Sequence, residues 1–146
     1  MFGKLFNKKA NQMKAELKKV ENRDLMEAII GGSILVAGAD GELSENELKT
    51  LEMSIQANPA LAHFGPEITA TINKFKQQLD VGFRMAKLKI MREITDVSSN
   101  PQEAEEVFIN CLLIAESDGE IDAAEMAILK DIANALGQRL SDYGVE

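Results

Sequence analysis

The chain has 146 residues, 45% of them apolar and 27% charged, with three Pro and ten Gly. That length holds one compact domain or two closely fused halves, and that composition excludes a disordered or collagen-like chain. One Cys and one His exclude an internal disulfide, a thiolate zinc site and most catalytic triads, so any chemistry here is carboxylate chemistry. No apolar stretch reaches the roughly 18 residues of a membrane span. The net charge of −8 is uneven: residues 1–23 hold seven Lys/Arg against two Glu, a local +5, which leaves −13 on the rest. An acidic body repels nucleic acid, whose binding rests on neutralising phosphates, and favours cations or basic partners. The expectation is a cytoplasmic helical domain that binds no nucleic acid.

In chain order, Phe2, Leu5, Phe6, Met13, Leu17 and Val20 recur at spacings of three and four, predicting a basic amphipathic helix over about 3–21. No cleavage site follows an apolar core there, so it is not a signal peptide. A second helix is predicted from Asp24 to Ala39, closed by Asp40-Gly41, and a third from after Ser44 to near Asn58-Pro59. Gly65-Pro66 opens another, with Pro at the first turn. Residues Val81 to Ile94 carry apolar side chains on more than one face, which predicts a mostly buried central helix with Arg84, Lys87, Lys89 and Arg92 reaching outward. Asn100-Pro101-Gln102-Glu103 is a helix start, with Asn as cap, Pro at the first position and Glu at the third. The helix it opens runs to Ser117, another runs from Asp122 to Gly137, and a short turn over Gln138 to Tyr143 closes the chain. The fold class is all-α, with seven to eight helices in one domain over 1–146.

One internal repeat stands out at an offset of 78 residues. Residues 34–48 read ILVAGADGELSENEL and residues 112–126 read LLIAESDGEIDAAEM. Each copy joins an apolar helix to a second helix through Asp-Gly, predicting two pseudo-symmetric helix-turn-helix hairpins over about 24–57 and 101–137. Two readings stand side by side. In the first, Ser44-x-x-Glu47 and Asp122-x-x-Glu125 are capping boxes, with Leu43/Leu48 and Ile121/Met126 as hydrophobic staples, and the motif only starts helices. In the second, Asp-Gly-x-hydrophobic-x-x-x-Glu is the latter half of an EF-hand loop, whose Gly bends the chain and whose final Glu gives two oxygens. Val36 and Gly38, or Ile114 and Glu116, stand where the opening Asp residues belong, so one loop alone falls short of the six to eight oxygens calcium takes. Two loops together reach it: Asp40, Glu47, Asp118 and Glu125 would hold a divalent cation, with Glu42, Glu116, Glu120 and Asp122 at the rim. Windows 40–47 and 116–125 hold nine of the 24 acidic residues, a density that a cation or solvent must separate.

At these residues the sequence resembles the tellurite-resistance TerB family, which carries two copies of Ala-x-Ser/Ala-Asp-Gly-x-hydrophobic-x-x-x-Glu on a seven-helix fold. Here the copies are Ala37 through Glu47 and Ala115 through Glu125. The Phe-rich, Lys-bearing first helix, the Pro101 helix start and Ala135-Leu136-Gly137 extend the likeness over nearly the whole chain. The resemblance implies a part in tellurite resistance, stress response and phage defence. It also implies a metal ion held by Asp40, Glu47, Asp118 and Glu125, partners that include an integral membrane protein, and no catalytic reaction. The ion expected is Ca²⁺ or a similar hard cation.

His63, between turn signals and without a second His or Cys beside it, reads as a surface or cap residue. Cys111 in an apolar helix reads as a buried, inert thiol, and Asn110 as a hydrogen bond to a neighbouring helix. Gly31-Gly32 reads as a close helix crossing, since no phosphate-loop partner follows. Phe2, Leu5 and Phe6 opposite Lys4, Lys8 and Lys9 suit either packing on the body or an interfacial anchor at the inner membrane face. Lys74, Lys76, Arg84, Lys87, Lys89 and Arg92 are opposed in their interval only by Asp80. They form either a solvated face or a docking site for an acidic protein, with Arg84, Lys87, Lys89 and Arg92 as the contact residues. The expected function is a non-enzymatic binding module holding a divalent cation at the acidic turns. A metal-free helical adaptor is the alternative.

Overall fold

The computed structural model describes residues 23–41, 43–57, 61–117 and 119–145. Among them are six α-helices and no strand: α1 (residues 23–37), α2 (Glu45–Gln56), α3 (Pro66–Val81), α4 (Phe83–Val97), α5 (Pro101–Glu116) and α6 (Ala123–Leu136). Short 3-10 turns occupy Ala62–Phe64 and Leu140–Tyr143. The all-α expectation therefore holds for the described chain. The basic helix expected over 3–21, which the count of seven to eight included, lies outside the described residues.

The buried central helix is α1. From Leu25 to Ala37 every residue except Glu27 is buried. A helix apolar on all faces has no other stable place than the core. Each large aliphatic side chain withdrawn from water there contributes about 1.5–3 kcal/mol. Its small residues set how close its neighbours come. A Cβ on Gly31 would stand 2.8 Å from Ile90 Cγ2 of α4, and one on Gly32 would stand 2.8 Å from Cys111 Sγ of α5. Gly31-Gly32 is thus the helix crossing that the sequence indicates.

The central role expected for Val81–Ile94 is corrected. Only one stripe of α4 is buried, Ala86, Ile90, Ile94 and Val97, while Met85 and Leu88 are 59% and 49% exposed. The apolar residues of that segment do lie on two faces, but the second face meets solvent.

The helix starts follow the sequence closely. Asn100 Oδ1 accepts from the Gln102 and Glu103 amides at 3.1 and 3.2 Å, ahead of Pro101 at the first position of α5. At the chain's end, Tyr143 OH donates to Gln138 Oε1 at 2.6 Å and its ring packs 4.9 Å from Phe108, which closes the last turn onto α5. Lys87 Nζ on α4 meets Asp131 Oδ2 on α6 at 2.6 Å. Among the described residues no helix is long and apolar enough to cross a membrane.

Candidate functional site

The described residues of the two Asp-Gly turns share two backbone hydrogen bonds at equivalent positions. In the first, Ala39 N–H donates to Val36 O and Gly41 N–H to Gly38 O, at 3.2 and 2.9 Å. In the second, Ser117 N–H donates to Ile114 O and Gly119 N–H to Glu116 O, at 3.2 and 3.0 Å. Gly41 and Gly119 sit at φ of 93° and 98°, the left-handed region that side chains with a Cβ avoid. Both turns deliver the chain into a capping box. Ser44 Oγ accepts from Glu47 N–H at 3.1 Å while Glu47 Oε1 accepts from the Ser44 amide and hydroxyl at 3.3 and 2.8 Å. Asp122 Oδ1 accepts from Glu125 N–H at 2.7 Å, and Glu125 Oε1 accepts from Asp122 N–H at 3.1 Å. Glu125 is buried and Glu47 half-buried. Leu43, Leu48 and Ile121 pack against the core from these starts.

The final Glu of each copy therefore already binds its own helix start through one oxygen, as the capping reading requires. Asp40, Glu116, Glu120 and Asp122 are exposed, and Asp40 and Glu125 make further interactions. Asp118 and Glu42 lie outside the described residues. Among the described members of the expected set, no three place ligand oxygens within a common coordination distance.

A different acidic group does. Asp24 and Glu27 on α1 and Glu93 on α4 bring one carboxylate oxygen each within 4.8 Å of one another. Asp24 is exposed and the two Glu are half-buried. Burial pushes the Glu93 carboxyl above the ordinary carboxylate range. The charge of Glu27, a hydrogen bond with it, and the charge of Asp96 raise it further, while Lys74 opposes the shift. Like charges this close favour a shared proton or a bound cation over two bare carboxylates. The donor set is hard oxygen only, which fits Ca²⁺, Mg²⁺ or Mn²⁺ and not a thiolate-seeking metal. Sequence reasoning missed this group. Asp24 and Glu27 are spaced three apart and so share a helix face, but nothing local says that Glu93 lies opposite.

The remaining singled-out residues have ordinary surroundings. Cys111 is buried, and burial pushes its thiol up to about 12 despite the Ser33 hydroxyl beside it. His63 is exposed, its ring 4.3 Å from that of Phe64. Asn110 does not reach a neighbouring helix: its Nδ2 donates to Glu106 O one turn back at 2.8 Å. Of the expected docking cations, Arg84, Lys89 and Arg92 are exposed, whereas Lys87 is engaged by Asp131.

Comparison with curated proteins and with solved structures yields no match. Comparison with protein families aligns residues 26–144 with the family described as Tellurite resistance protein TerB. With that match running from the buried α1 to the closing 3-10 turn, and with both Asp-Gly capping turns inside it, the chain belongs to the TerB family.

Proposed function

We propose that this chain is a non-catalytic, cytoplasmic stress-response module of the tellurite-resistance type whose working ligand is a divalent hard cation. The observation that carries the reading is the convergence of Asp24, Glu27 and Glu93 oxygens within 4.8 Å. Two helices distant in sequence are held there with like charges facing. A cation would offset that repulsion and clamp α1 to α4, coupling ion level to the stability of the core helix. The turn carboxylates Asp40, Glu47, Asp118 and Glu125 are the second place for an ion. A binding role also suits a chain whose one thiol is buried and inert and whose one His is a surface residue.

The test is calorimetric titration of chelator-treated protein with Ca²⁺, Mg²⁺, Mn²⁺ and Zn²⁺. Saturable binding of a hard cation is expected, lost in Glu27→Gln/Glu93→Gln and retained in Asp40→Asn/Asp118→Asn. The reverse pattern moves the ion to the turns. No binding by the unaltered protein at millimolar ion overturns the cation reading.

A further inference from the structure

The α3–α4 hairpin exposes three large apolar side chains. Val81 is 89% exposed, Met85 59% and Leu88 49%. Adjacent solvent-exposed apolar side chains at a helix junction are a recognised mark of a binding surface. Between the two helices lie two neighbouring compartments of about 340 and 220 Å³, which together form a trough with shared walls. Lys74, Gln78 and Lys89 line both, Val81 and Met85 line the larger, and Arg92 lines the smaller.

The chemistry of the trough is specific. Lys74, Lys89 and Arg92 are exposed, and none of them closes an ion pair with a described residue. The single acid lining it, Glu93, is half-buried and faces Glu27. The trough is therefore basic on a body whose net charge outside residues 1–23 is −13. Gln78, which lines both compartments, has its Oε1 buried without a hydrogen-bond partner among the described residues.

We infer that the α3–α4 trough docks an acidic amphipathic helix of a partner protein, its apolar side chains seated against Val81 and Met85 and its carboxylates paired with Lys74, Lys89 and Arg92. Charge complementarity selects the occupant. Lys74, which lies 5.1 Å over the Phe75 ring and offsets part of the Glu93 charge, and Lys89 and Arg92 flank the exposed Val81 and Met85. This arrangement matches acidic residues flanking two apolar anchors, and a helix lies naturally along the groove between two others. Nucleic acid is disfavoured by the charge of the body. Lys87, held by Asp131, is not part of the contact. The proposal goes beyond the cation reading but shares Glu93 with it, since that carboxylate both lines the smaller compartment and belongs to the acidic trio, so the peptide is titrated with no divalent cation present.

The experiment titrates the ¹⁵N-labelled full chain, in chelator, with a helical peptide of about 16 residues bearing two Leu four apart flanked by Glu. Its Lys-for-Glu counterpart and vesicles of phosphatidylglycerol are run in parallel. Expected are saturable shifts at residues 74–92 with the Glu peptide alone, and about tenfold weaker binding for Lys89→Glu and for Val81→Ser. The change Lys49→Glu on α2 should leave binding unaltered. Lys89→Gln separates loss of attraction from new repulsion, and weaker binding is expected for it too. The proposal is overturned by any of three results: no shift at about 1 mM peptide, a level beyond weak specific binding; equal binding of the Lys peptide; or Lys89-dependent binding of vesicles in place of the peptide.

Discussion

At the scale of single residues, burial and charge make definite demands. Glu93 has its carboxyl raised in the folded chain by burial and by Glu27, so the folded state holds a proton more tightly than the unfolded one. Its charged form then weakens the fold above the folded pKa, and the penalty disappears as pH falls through that value and both states become protonated. Glu93→Gln should accordingly raise the melting temperature at pH 7 by about 2 °C, a modest figure because the group is largely solvent-screened. The gain should vanish near pH 4, and thermal melts across that pH range check it. A saturating hard cation should also erase it. Residues whose surroundings follow from their own segment were readable in advance: His63 with its ring against the adjacent Phe64, and Cys111 buried because its helix is apolar around it. Glu93 was not, because its partner Glu27 comes from another helix and only packing sets them face to face.

At the scale of elements, the strongest sequence signals were those with short-range chemistry. Asn100-Pro101, Ser44-x-x-Glu47 and Asp122-x-x-Glu125 each start the helix they indicate, since an N-cap side chain bonds amides two or three residues on. Ser44→Ala and Asp122→Ala should each cost about 1 kcal/mol, read by urea denaturation. Asp122→Ala should cost the more, because it leaves Glu125 buried beside an emptied cap. The helix crossing makes a separate demand. Gly32→Ala places a Cβ against Cys111 Sγ at 2.8 Å and should destabilise by about 1–3 kcal/mol, outweighing the ~1 kcal/mol of helix propensity that Ala restores. In a Gly32→Ala/Cys111→Ala double variant the losses should be less than additive, since removing Sγ frees the space the new methyl needs. What the elements did not disclose was which helix is central. Residues 25–37 and 81–94 are both apolar on several faces, and only the small residues of α1 permit neighbours close on more than one side.

At the scale of the whole molecule, the described chain has a buried helix, α1, against which α4, α5 and α6 pack closely at Gly31 and Gly32, with chemically distinct features around it. Two capped Asp-Gly turns lie in the connections α1–α2 and α5–α6, an acidic trio lies between α1 and α4, and a basic, apolar-floored trough lies between α3 and α4. The Lys87–Asp131 bridge between α4 and α6 is about half exposed, at 34% and 47%, so Lys87→Ala should cost no more than about 1 kcal/mol in a melt. Its larger effect is to remove Lys87 from the docking set that sequence spacing put together with Lys89 and Arg92. The acidic repeats were legible as turns and as a family mark. The acidic trio was not, and the cation reading turns on which of the two holds the ion.

Paramagnetic broadening by Mn²⁺ decides this most directly. Substoichiometric Mn²⁺ added to the ¹⁵N-labelled protein should broaden first the amides around Asp24, Glu27 and Glu93, and Glu27→Gln/Glu93→Gln should abolish that focus. Broadening centred instead on residues 40–47 and 116–125, or spread evenly over exposed acids, would contradict the account.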